Sequence, residues 1–261
     1  MSRGDAATTV AGSGSARGAD DEWAVRLDLA AAYRLMARFG MTDLIYTHIS
    51  ARVPGRHDRF LINPYGRLFE EITASSLVEI DIEGAPVGPG AQPVNPAGFV
   101  IHSAIHAARR DVACVMHTHT LAGMAVAGAA CGLLPLNQMS MQFYNRIAYH
   151  DYEGISLELS ERERLVRDLG DKQAMILRNH GLLTVGRSVS EAFSLMYYLD
   201  RACAIQVAAM PMGRLVAPSS EVCEHAARQH ERYAEESTEH ADREWNALLR
   251  MLDGEDPGYK A

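Results

Sequence analysis

The sequence predicts an α/β domain, and three features carry that expectation. Short apolar runs such as Ala113–Thr120 and Ala174–Leu177 are interleaved with longer segments whose apolar residues recur at helical spacing. Serine and acidic residues at cap positions, with Gly and Pro breaks, separate the two kinds of segment. The chain has 261 residues, 48% of them hydrophobic, enough for one large core that needs no staples.

Residues 1–20 are mostly Gly, Ala, Ser and Thr with little to bury, and are expected as a disordered tail. A helix is expected from Asp20-Asp21-Glu22, whose acids suit a helix N-terminus; Leu29, Ala32, Tyr33 and Met36 form its inner side before Gly40 stops it. Alternation through Ile49, Ala51 and Val53, the run Phe60-Leu61-Ile62 and the alternating Val78–Ile82 predict three strands, antiparallel at this end of the sheet. Val100–Ala108 reads as a helix that buries Ile101 and Ile105. His102 and His106 share one face of it, and are expected as core or supporting histidines rather than ligands, since the Glu of a helical metalloprotease motif is missing between them.

The strand Ala113–Thr120 follows, then a small-residue helix around Leu121–Ala130, a connecting loop over Asn137–Asn145 and a short strand at Arg146–Tyr149. Ser156–Gly170 is expected as a helix with a Ser160/Glu163 capping box. After the apolar runs 174–177 and 182–186, Ser188 and Glu191 repeat the box and open a long helix to about Ala209. Residues 216–261 read as a polar helical extension of the same domain.

Charge and composition narrow the partners. The formal net charge is −8 and the basic residues form no stripe, so no nucleic-acid partner is expected. No run approaches the ~20 apolar residues that span a bilayer. The N-terminus lacks the apolar core of a signal peptide, so no membrane partner is expected. The cysteines Cys114, Cys131, Cys203 and Cys223 form no C-x-x-C pair and read as buried thiols of a reducing, cytoplasmic setting.

In a strand, alternate side chains share a face, so His117 and His119 would project together. A second apolar run ends in Arg178-Asn179-His180-Gly181, with Gly181 expected to let the backbone turn tightly. If the two strands are neighbours, three imidazoles converge. Three neutral imidazoles with an open position form the donor set of a catalytic rather than a structural zinc site.

The segments Gly98-Phe99-x-x-His102-Ser103-Ala104-Ile105-His106, Val115–Thr120 and Leu177–Gly186 resemble the class II aldolase/adducin family, and the resemblance extends over roughly Trp23–Ala209. It implies a three-layer α/β/α fold with a mainly antiparallel central sheet, spanning residues 21–215. It also implies a divalent metal on His117, His119 and His180, a small-molecule substrate, and a homotetramer. Zn2+ is the first expectation, with Fe2+, Mn2+ and Co2+ as alternatives, because imidazole suits them all.

This chain departs from the sugar-phosphate aldolases of that family. Aligned on His102, the segment Asn95-Pro96-Ala97-Gly98 replaces Pro-Ser-Ser-Glu, so Gly98 stands at the acid/base Glu position and both phosphate-holding serines are gone. The Gly-Asn-x-Ser phosphate turn becomes Thr47-His48-Ile49-Ser50. The resemblance therefore implies a metal-dependent lyase, cleaving by retro-aldol reaction or decarboxylation a small unphosphorylated oxo-acid or hydroxy-carbonyl compound through a metal-stabilised enolate. Candidate catalytic groups are Tyr149, His150 and Asp151 in a loop of titratable residues, and His48 in place of the phosphate-turn Asn. Asn95 and Arg178 are candidates for substrate binding, although turn chemistry alone accounts for Asn95-Pro96. A non-haem iron oxygenase on the same fold and an adducin-like interaction module without turnover are the alternatives.

Overall fold

The computed structural model describes residues 13–87, 92–156, 158–236 and 238–261. The first helix, α1 (Ser13–Arg38), starts ahead of Asp20, where the strong helix formers Ala16, Arg17 and Ala19 offset Gly14 and Gly18. Of the expected tail, residues 1–12 lie outside the described residues. Leu29, Ala32, Tyr33 and Met36 are fully buried, as their spacing predicts.

Three strands follow, β1 (His48–Arg52), β2 (Arg59–Ile62) and β3 (Val78–Asp81), then α2 (Pro96–Ala108) and β4 (Cys114–Thr118). Next come α3 (Leu121–Ala127), the one-turn α4 (Gln138–Met141), β5 (Ile147–His150), α5 (Glu161–Leu169), β6 (Ala174–Leu177) and β7 (Gly181–Gly186). The chain ends in α6 (Val189–Ala209), α7 (Ser220–Glu236) and α8 (Thr238–Glu255). The seven strands form one sheet in the order β3-β2-β1-β4-β7-β6-β5. Every neighbouring pair is antiparallel except β5 and β6, which α5 links as a parallel crossover.

Strand alternation sends Ile49, Ala51, Met116 and Leu182 to one core, under α1 and α6. It sends Val115, Leu183 and Met175 to the other, under α2 and α5, with Ile101, Ile105 and Leu165. The result is three layers, α/β/α. Tyr33 ties α1 to the sheet, its hydroxyl donating to Asn63 Oδ1 at 2.8 Å and accepting from Ile49 N at 2.8 Å. Trp245 and Leu252 of α8 pack into the first core, so the C-terminal helices are continuous with it.

Several local expectations need correction. Ser160 does not cap α5: its backbone is already helical (φ −66°, ψ −20°), so its hydroxyl cannot reach back to the first free N–H groups. The preceding turn serves instead, Glu158 O accepting from Glu161 N at 3.1 Å. The expected helix start at Ser156 is thus a turn, and Leu157 lies outside the described residues. The expected loop over 137–145 contains α4, whose N-cap Asn137 accepts from Ser140 N. Of the four thiols, Cys131 is exposed, because it follows α3 on a surface turn. Ser188 does cap α6, accepting from Glu191 N at 3.1 Å. Among the described residues, no helix is long and apolar enough to cross a membrane.

The helix α7 buries Cys223 and Ala227 and is also tied down by ion pairs. Arg146 donates to Glu224 at 2.7 Å and to Glu231 at 2.8 Å. Hydrogen bonds from Arg146 and then Arg228 lower the Glu224 carboxyl from its ordinary 4.5 to about 2, and Arg146 lowers Glu231 as well. A depressed folded-state value means that this contribution is complete above pH 4.5 and is lost as pH falls toward 2. Amide hydrogen exchange is expected to show α7 losing protection across that window before the sheet does.

Candidate metal centre

The strand β4 lies at the middle of the sheet, bonded to β1 on one side and β7 on the other. Its period of two points His117 to the face covered by α2 and α5, and His119 continues that direction just past the strand. Thr120 then starts α3 by accepting from Gly123 N at 3.1 Å. His180 arrives on the turn between β6 and β7, and the pairing Thr118↔Leu182 brings that turn alongside His119.

Gly181 does not supply the turn's left-handed residue as the sequence suggests. Asn179 does, with φ 55°. Gly181 is needed for close approach: a Cβ there would lie 2.3 Å from the Thr118 carbonyl oxygen, 3.1 Å from the His119 ring and 3.3 Å from the His117 ring.

Ligand atoms of His117, His119 and His180 all lie within 4.8 Å of one another. His117 Nδ1 donates to Leu182 O at 2.9 Å and His119 Nδ1 donates to Asp43 Oδ2 at 2.9 Å, since a carbonyl and a carboxylate only accept. Both Nε2 lone pairs are thereby turned inward, where they stand 2.8 Å apart, an arrangement that a shared cation relieves. Burial and the His180 imidazole push His117 well below the ordinary histidine value. Burial and His119 take His180 down to about 4. These rings are neutral near pH 7, the form that binds metal.

Asp43 has no signature in the sequence, being one acid in the loop after α1. A carboxylate that orients a ligating imidazole typically sustains metal affinity by a factor of about 10–100. Asp43→Ala is expected to weaken zinc binding by that factor in a chelator competition, with unchanged circular dichroism.

The titratable loop splits around β5. His150 faces the α5 side, its Nδ1 donating to Asp168 Oδ2 at 2.8 Å and its Nε2 lying 3.4 Å from Glu161 Oε1. Burial opposes ionisation of Asp168, but hydrogen bonds from His150 and Arg167 outweigh it and hold that carboxyl below its ordinary value. Tyr149, one residue earlier, faces the opposite core. Its hydroxyl accepts from Leu133 N at 3.0 Å, so its contacts are those of a packing residue. Arg178 stacks over the Tyr149 ring at 4.3 Å and donates to Ala129 O at 2.8 Å, which ties the guanidinium to the backbone. Asp151 is exposed. A shallow cleft opens here, with His150, Asp151, Tyr152, Glu161, Arg178 and His180 in its wall. Asp168 and Glu161 escape sequence reading because they reach His150 from another element.

His48 lies directly across from His117 in the β1–β4 pairing, with ring centroids 5.2 Å apart. It follows Thr47, a β-branched residue held at φ 70° with its hydroxyl buried and without a partner. The His48 ring fills the space beside Gly98: a Cβ at position 98 would lie 2.6 Å from His48 Cδ2. The two departures at Gly98 and His48 are therefore one structural exchange, since an imidazole at 48 leaves room only for glycine at 98. Asn95 caps α2, its Oδ1 accepting from Ala97 N at 3.1 Å, as turn chemistry predicts.

Comparison with known proteins agrees with this architecture. The family described as Class II Aldolase and Adducin N-terminal domain matches residues 27–207. The crystal structure of an aldolase II superfamily protein from Pseudomonas syringae is 52% identical, with a TM-score of 0.87, covering 96% of this chain and 100% of that one. An L-fuculose 1-phosphate aldolase from Glaciozyma antarctica has a TM-score of 0.81 at 27% identity, covering 98% of this chain and 97% of its own. Alpha-adducin of Rattus norvegicus is 48% identical over 186 residues, which is 70% of this chain and 25% of the adducin. With the histidine cluster gathered at the end of the central strand and three layers around it, the chain belongs to the class II aldolase and adducin N-terminal domain family.

Proposed function

We propose that this protein is a divalent-metal-dependent lyase acting on a small, unphosphorylated oxo-acid or hydroxy-carbonyl compound, by aldol cleavage or decarboxylation. The observation that carries the reading is the convergence of three imidazoles, two of them with Nδ1 already committed to acceptors. His117, His119 and His180 would hold the metal, with Zn2+ the first choice. When bound, it supplies Lewis-acid polarisation of a substrate oxygen.

The chain's own residues supply the rest. His150, whose Nδ1–H is held by Asp168, is the group suited to move a proton, which it would take up and release at its unpartnered Nε2, beside Glu161. Phosphate lacks a cradle: Ser50 Oγ is committed to His102 and His106, Gly98 offers no side chain and Asn95 Oδ1 is spent on the α2 cap.

The test is elemental analysis of protein purified without added metal or chelator, followed by a screen of oxo-acids and hydroxy-carbonyl compounds for release of carbon dioxide or an aldehyde. Near-stoichiometric zinc, manganese or cobalt with product release supports the lyase. Iron with oxygen uptake favours the oxygenase. The 48% identity to alpha-adducin favours a second reading, an interaction module without turnover, and absence of both metal and turnover would select it.

A further inference from the structure

A buried polar chain runs behind the metal centre. His106 Nε2 lies 2.8 Å from Ser50 Oγ, Ser50 Oγ lies 2.6 Å from His102 Nδ1, and His102 Nε2 lies 2.8 Å from His48 Nδ1. His102, Ser50 and His106 are at most 1% exposed. The far end stops abruptly, because His106 Nδ1 is buried without a partner. The Phe60 ring stacks on His106 with 30° between the planes, so an in-plane Nδ1–H would run alongside that ring rather than into its face.

We propose that the chain His106–Ser50–His102 fixes the tautomer of His48, so that His48 presents Nε2–H to the metal centre as a hydrogen-bond donor for a substrate carbonyl or carboxylate oxygen. The role at the substrate rests on the lyase reading; the tautomer does not.

The argument counts protons. Burial, then neighbouring His106, pushes His102 well below the ordinary histidine value, and burial takes His106 to about 3, so each ring carries one N–H. Three hydrogen bonds need three protons. In one direction His106 Nε2–H donates to Ser50, Ser50 O–H to His102 Nδ1, and His102 Nε2–H to His48 Nδ1. All three bonds are made, His48 keeps its proton on Nε2, and the sole loss is a bare lone pair on His106 Nδ1. In the reverse direction His106 carries an unpaired buried N–H. If Ser50 instead accepts from both rings, its own hydroxyl proton is left unpaired. A buried donor without a partner is rarer in native proteins than an under-satisfied acceptor, which selects the first direction. His48 Nε2, on the ring edge away from His102, bonds no group among the described residues. In this tautomer His48 is neither a fourth metal ligand through Nε2 nor a base, and His102, Ser50 and His106 are positioning residues.

The experiment is a long-range proton–nitrogen correlation spectrum of 15N-histidine-labelled protein loaded with zinc alone. The expected result is the Nε2–H tautomer for His48, His102 and His106 alike. Ser50→Ala is expected to release His102 and give mixed tautomers at His48, and Ser50→Thr, which keeps the hydroxyl, to restore the pattern. An Nδ1–H tautomer at His48 in the unmodified protein overturns the proposal, and so does an unchanged pattern in Ser50→Ala. If Ser50→Ala does not fold, the unmodified protein alone decides. Failure of the metal reading appears separately, as zinc that shifts no resonance of His117, His119 or His180.

Discussion

His117→Ala protein is expected to bind zinc roughly 1,000-fold more weakly than the unmodified protein while keeping its fold. Zinc held by protein ligands is bound with about 10–16 kcal/mol, so removing one of three imidazoles forfeits several kcal/mol, and each 1.4 kcal/mol is about a factor of ten. The variant also leaves Leu182 O without its donor inside the sheet, for a loss of about 1–3 kcal/mol. That is less than the roughly 5–15 kcal/mol of a typical domain, so the protein stays folded. Metal content after dialysis, read beside circular dichroism, checks both halves. Retained stoichiometric metal would remove His117 from the ligand set.

Gly181→Ala is expected to destabilise the protein by about 3 kcal/mol and to impair metal binding with it. The added methyl meets the Thr118 carbonyl oxygen at 2.3 Å, an atom of the central strand that cannot swing aside as a side-chain tip can. Relief requires β7 and β4 to separate where the three histidines meet, so stability and site geometry fail together. Gly254→Ala is the control: nothing lies within 4 Å of a Cβ there, and Ala favours the helix by about 1 kcal/mol. Urea midpoints of the two variants should move in opposite directions.

What the sequence made legible follows its periodicities. Alternation located β1, β2 and β3, helical spacing located the inner side of α1, and the period-two pair His117 and His119 with His180 marked the centre. Those signals are local because a strand or helix repeats its environment every few residues. Asp43, Asp168 and Ser50 were not legible as partners, since each reaches its histidine across the fold and no spacing rule links the two. Ser160 misled for a related reason: a serine three residues before a Glu caps a helix only if its backbone is extended, and a preceding turn had already made it helical. Gly98 reads in sequence as a lost carboxylate. In the structure it is the space that the His48 ring requires.

The position of β4 also sets the tempo of the molecule. Flanked by partners on both sides and buried along its whole length, it opens only when the domain itself unfolds. His119 and His180 are half-buried on the segments that leave the sheet, where local opening costs less than unfolding the domain. A metal ion held by the three histidines would therefore be exchanged through the two rim residues, with His117 staying fixed. The rate at which a bound ion is traded should follow the breathing of the β6–β7 turn, over milliseconds or less, and be nearly blind to the lifetime of the folded state.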